Sequence, residues 1–130
     1  MIWVSYSISQ DGFRHQLIEA SRRARVRFFI SEYILDELES TLVTDFQRTP
    51  RYARLARSAI QRFAKTVRLA LSRRGWVIGD PDDDPIIHTA LLAKADYLLT
   101  ADKNVLALGQ IEDLRIIREK DFAALIGARL

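Results

Sequence analysis

Residues 80–108 read DPDDDPIIHTALLAKADYLLTADKNVLAL, and this stretch decides the fold. Asp80, Asp82, Asp83 and Asp84 form an acidic loop closed by Pro85, a residue suited to the first turn of a helix, with Asp84 placed to cap it. A helix over Ile86 to Lys94 leads through Ala95-Asp96 to an apolar strand, Tyr97 to Thr100, which ends at Ala101-Asp102. A short helix from Val105 to Leu108 follows. Trp76-Val77-Ile78, just before the loop, has the length and composition of a buried strand. Strand, acidic loop, helix, strand and acid succeed one another with no hairpin signal between the strands, the pattern of a parallel sheet covered by helices.

The flanks extend the alternation. Gln10-Asp11-Gly12 signals a turn, Phe13 to Arg25 has helical spacing, and Val26 to Ile30 is a short β-type run. Ser31 is placed to cap a helix from Glu32 to about Phe46, with Ile34, Leu35, Leu38 and Leu42 on one stripe and Glu32 in the first turn. Beyond Pro50 the periodicity predicts one long helix from Arg51 to Arg73. Leu55, Ala59, Ile60, Phe63, Val67, Ala70 and Leu71 would cover one side, and Arg54, Arg57, Arg62, Lys65 and Arg68 the other. Gly75 stops it. Leu114 to Ile117 is the last strand and Asp121 to Leu130 the last helix. The expected architecture is a single α/β domain over residues 1–130, in three α/β/α layers around a central parallel sheet.

Composition narrows the chemistry. The chain has no cysteine and only His15 and His88, so a metal would sit on oxygen. The net charge is only +3, yet Gln47 to Gly75 contains no acid and is crowded with Arg and Lys. That is the footprint of a surface for RNA, with Arg54, Arg57, Arg62, Lys65 and Arg68 neutralising phosphates, although a solvated basic face has the same appearance. The first residues, MIWVSYSISQDG, have neither the basic start nor the apolar length of a signal or membrane segment, so a cytoplasmic protein without membrane contact is expected.

In an open parallel sheet the ligand site lies beyond the carboxyl ends of the strands, and Asp82 to Asp84 and Asp102 stand there. Carboxylates that converge repel one another unless a hard cation, Mg²⁺ or Mn²⁺, bridges them, and a pair of such ions can drive phosphodiester hydrolysis. The alternative is structural: Asp84 caps a helix, its neighbours are solvated and Asp102 starts a turn. Thr100 is either an auxiliary group orienting water or phosphate or an ordinary β-branched strand residue. His88, Trp3 and Trp76 are expected in packing roles.

Residues 80–108 resemble the C-terminal motif of PIN-domain proteins in the toxin-component (VapC-like) branch: an acidic loop, an Ala-rich helix, Ala-Asp-Tyr and a Thr-x-Asp strand end. SEYILDELESTL, from Ser31, is similar to that family's helix with a Glu before a Leu, and FAALI, from Phe122, to its tail. The resemblance implies a metal-dependent endoribonuclease checked by a cognate antitoxin, sometimes a homodimer. Glu37 matches the helical Glu, Asp83 the loop Asp and Asp102 the Thr-x-Asp position, as catalytic and metal-binding residues. Asp82 is a neighbour able to assist. Asp36 and Glu39 are expected to be solvated.

The family resembled opens with a strand ending in Asp-Thr-Asn or Asp-Ser-Asn, then a helix like IWVSYSI. Ile2 to Ile8 matches that helix, so the first strand and its catalytic Asp are expected to be missing, which would weaken metal binding and catalysis with it. The second reading is then a catalytically inactive PIN-like module that binds RNA or an antitoxin. Ile2, Val4, Tyr6 and Ile8 also alternate at period two, which would suit a strand.

Overall fold

The computed structural model describes residues 2–68 and 85–130. Within them seven helices and five strands alternate: α1 (Ile2–Ile8), α2 (Phe13–Arg23), β1 (Phe28–Ser31), α3 (Glu32–Thr44), α4 (Pro50–Gln61), β2 (Ala64–Val67), α5 (Pro85–Leu92), β3 (Tyr97–Leu99), α6 (Lys103–Leu106), β4 (Gln110–Ile111), β5 (Leu114–Ile117) and α7 (Glu119–Leu125). The chain is α/β, as its pattern predicts. The described strands form two sheets rather than one. β1 and β2 are parallel, with Phe28 opposite Ala64 and Ser31 opposite Val67. In the other, β3 lies parallel to β5, and β4 joins β5 antiparallel. Helix α5 touches both β1 and β3.

Ile2–Ile8 is a helix, not a strand, because one of its sides has a large apolar surface to cover. Trp3 and Val4 are buried, and the Trp3 ring lies 5.9 Å from Phe28 and 6.0 Å from Phe63 between centroids. Ile30, Leu35, Leu38, Leu42 and Ile60 are fully enclosed in the same core. A second cluster joins Leu17 to Phe122 and Ala123, and a third joins Ile87, Val105 and Ile116.

The expected long helix from Arg51 to Arg73 is not formed. α4 is capped by Thr49, whose hydroxyl accepts from the Tyr52 N–H at 3.0 Å, and it stops at Gln61, after which residues 64–67 are a strand. A four-residue spacing of apolar side chains at Ala59, Phe63 and Val67 fits a helix and also, over so short a run, a strand. Pairing with β1 decides between them, and Thr66 and Val67 are β-branched. The buried face is also rotated from the expected one. Ala53 and Ile60 point inward, whereas Leu55 is 60% exposed. The β4–β5 hairpin carried no Gly or Asn signal, because its turn places Glu112 itself at φ 53°. Gly127, at φ 70°, ends the last helix earlier than expected. The expected strand at Trp76–Ile78 and the acidic loop at residues 80–84 lie outside the described residues.

Candidate functional site

Glu37 is positioned from the carboxyl end of β1. Ser31, wholly buried as the last residue of that strand, caps α3 through its Oγ, which accepts from the Ile34 N–H at 3.2 Å. The cap and the buried stripe Ile34, Leu35, Leu38 and Leu42 fix the helix about its axis. Glu37 is therefore turned to solvent, where the Tyr33 hydroxyl, one turn earlier, donates to its Oε1 at 3.1 Å. Tyr33 was not singled out by the sequence, although its i,i+4 spacing from Glu37 was the available signal.

Asp102 is positioned from the carboxyl end of β3. The Thr100 N–H donates to Ile117 O at 3.1 Å, prolonging the β3–β5 ladder. The Thr100 Oγ1 then accepts from the Asp102 N–H at 3.1 Å. Asp102 caps α6, its Oδ1 accepting from the Asn104 N–H at 2.8 Å. The structural role foreseen for Asp102 is thus filled, since it opens a turn of helix, whereas Thr100, foreseen only as a β-branched strand residue, lies just past β3 and holds the Asp102 backbone. Neither role uses the second oxygen of the Asp102 carboxylate, which is exposed.

Glu37 and Asp102 each have one carboxylate oxygen in a hydrogen bond to this chain and one, Oε2 or Oδ2, without a hydrogen bond among the described residues. They are hard oxygen donors of the kind Mg²⁺ or Mn²⁺ takes. Among the described residues no three His, Asp or Glu side chains come together as a metal-binding group. Asp82 and Asp83 lie outside the described residues.

The basic residues expected on one helix face are divided. Arg54 and Arg62 are exposed on α4 and at its end, Lys65 is exposed on β2, and Arg68 follows that strand. Arg57 points back toward α3, where its Nη1 meets Asp36 Oδ1 at 2.7 Å and Glu39 Oε1 at 3.9 Å. Asp36 and Glu39 are therefore not simply solvated, and Arg57 is committed to joining two helices.

Parallel α/β units place their ligands beyond the carboxyl ends of the strands, and Glu37 and Asp102 are exposed carboxylates carried after such ends. A family model for the PIN domain matches residues 1–104, and the chain belongs to the PIN-domain family, with the nuclease-type fold this entails. No curated protein and no solved structure matches the chain. No helix among the described residues is long and apolar enough to cross a membrane.

Proposed function

We propose that this PIN domain is a metal-dependent endoribonuclease, the toxin of a toxin-antitoxin pair, whose carboxylate ligands are Glu37, Asp83 and Asp102. The observation that supports it is the state of Asp102: capping fixes its backbone and one oxygen, leaving the other presented to solvent at a strand end. A bound Mg²⁺ or Mn²⁺ would activate water and offset the charge that develops on the phosphodiester. The chain's own part is to hold the carboxylates in place, through Tyr33 for Glu37 and through Thr100 and the Asn104 N–H for Asp102. A cognate antitoxin and a homodimer belong to the same proposal.

The test is Mn²⁺-dependent cleavage of a labelled single-stranded RNA, abolished by chelator and by Glu37→Gln. Gln keeps the acceptor that Tyr33 engages, so the substitution removes charge with little change of structure. Cleavage unaltered in Glu37→Gln would refute the assignment. The second reading, a non-catalytic module binding RNA or an antitoxin, is supported by the exposed Arg54, Arg62, Lys65 and Arg68. It predicts RNA binding indifferent to chelator, with no turnover in Mn²⁺.

A further inference from the structure

The β1–β2 sheet has an amino end as well as a carboxyl end, and arginines converge on it. α2 finishes at Arg23 and the chain enters β1 through Arg25, Val26 and Arg27, while α4 finishes at Gln61 and the chain enters β2 through Arg62 and Phe63. Since Phe28 stands opposite Ala64, one residue back along each strand are Arg27 and Phe63. The Arg22 guanidinium lies 4.2 Å from the centroid of the Phe63 ring, which ties the end of α2 to the same place.

Arg22, Arg23, Arg25, Arg27 and Arg62 are all exposed. The sequence has no Asp or Glu from Ala20 to Ser31 or from Gln47 to Arg68. Glu19 is occupied, accepting from Arg22 at 3.1 Å and from the Tyr6 hydroxyl at 2.7 Å. Arg23, Arg25, Arg27 and Arg62 make no ion pair among the described residues.

The dipole of α2 accounts for Arg22 and Arg23 in its last turn, but not for the others. Arg25 is the sharpest case. It sits at φ 61°, just past the helix, where the Val26 N–H reaches back to Ser21 O at 3.0 Å. Glycine takes this left-handed position without strain, and Lys94 occupies the equivalent position after α5 at φ 55°, so the backbone here does not itself call for an arginine.

We propose that Arg23, Arg25, Arg27 and Arg62 form a docking surface for the phosphate backbone of RNA, at the end of the β1–β2 sheet opposite the one from which Glu37 is positioned. β1 is four residues long, so the two ends are separated by about 13 Å. An RNA strand is long enough to engage both. Guanidinium groups suit phosphates because they offer paired donors in a plane. Phe63, the ring that Arg22 covers, is packed against Trp3 and Phe28, so it offers no platform for a base. The surface therefore binds the backbone without reading sequence.

The inference rests on the RNA substrate of the proposed function, and its test needs no turnover. Binding of a labelled mixed-sequence single-stranded RNA is measured against salt, in EDTA, with the Asp102→Asn chain as reference. In single-stranded RNA each lost phosphate contact lowers the log–log salt slope by about 0.7. Combining Arg23→Gln, Arg25→Gly, Arg27→Gln and Arg62→Gln should lower it by about 2.8, so these four contacts account for roughly 50-fold of the weakening between 50 and 200 mM salt.

Arg25→Gly alone should lower the slope by about 0.7 and leave the melting temperature equal or higher, separating lost contact from misfolding. Arg57→Gln, outside the patch, should leave the slope unchanged. Unchanged slopes in both the single and the fourfold variant would overturn the docking surface while leaving the proposed activity standing. Absence of Mn²⁺-dependent cleavage by the unsubstituted chain would remove that activity without touching the binding result. Patch-dependent binding to phosphatidylserine vesicles or polyglutamate, with none to RNA, would also overturn it.

Discussion

Asp102 has two duties that a pair of substitutions should separate. Its Oδ1 accepts the Asn104 N–H at 2.8 Å to cap α6, a helix of four residues whose Val105 is buried in the cluster with Ile87 and Ile116. Asn caps helices about as well as Asp, whereas Ala does not, and losing such a cap costs about 1 kcal/mol. For a domain of this length that corresponds to a fall in melting temperature of roughly 3–5 °C. Asp102→Ala should show that fall, and Asp102→Asn should melt within about 1–2 °C of the parent. Both should lose Mn²⁺-dependent cleavage together, by more than the roughly 10–100-fold that follows loss of a metal ligand's supporting hydrogen bond. The assays are differential scanning fluorimetry and single-turnover cleavage of a labelled RNA. Wild-type turnover in Asp102→Asn would show that the carboxylate's charge has no chemical role. Equal destabilisation by Asn and Ala would show that the cap is not what Asp102 contributes to the fold.

Three further outcomes are expected. Leu38, on α3 and fully enclosed in the main core, should cost about 2–5 kcal/mol when replaced by Ala, read as a lower urea midpoint with an unchanged slope. Arg57→Gln should cost about 0.2–1 kcal/mol, because its partner Asp36 is largely exposed, and a larger loss would mean that Glu39 matters more than its 3.9 Å separation implies. The Tyr6 hydroxyl is pushed up to about 12 by burial, and further by its hydrogen bond to Glu19 and that carboxylate's charge, against the opposing influence of Arg22. The folded state thus favours the protonated phenol, so its contribution is complete below pH 10 and is lost as pH rises from 10 toward 12. Denaturant midpoints should fall over that interval in the parent, and by less in Tyr6→Phe.

Local signals were legible where one residue carries them. Ser31 as a cap, Pro85 as the first residue of α5, the stripe on α3 and the strand ends at Leu99 and Ile117 all follow from sequence with little displacement. Asp102 stood out by its place after a strand end, although a helix cap explains an acid there equally well, and Glu37 stood out only through the resemblance of its helix to the PIN family. The break after Gln61 was not legible. Nothing local distinguishes RFAKTV as a helix from RFAKTV as a strand, and the deciding partner, β1, lies more than thirty residues earlier. The same gap hid the role of Arg57, since counting basic residues on a helix cannot show that Asp36 and Glu39 wait on its neighbour.

That break alters the functional geometry as well as the secondary structure. On one continuous helix, Arg54, Arg62, Lys65 and Arg68 would have formed a straight basic ridge. Ending α4 at Gln61 instead brings Arg62 and Phe63 to the edge where α2 delivers Arg22, Arg23, Arg25 and Arg27. Two segments separated by about forty residues thus contribute charge to one end of a sheet whose other end leads into α3 and Glu37. Because the strands are parallel, both chain entries lie at one end and both exits at the other. Charge carried on the entries is kept away from carboxylates carried after the exits. A separation of about 13 Å exceeds the Debye length of about 8 Å at physiological salt, so the arginines do not neutralise the acids through solvent, and a bound cation would still find Glu37 available.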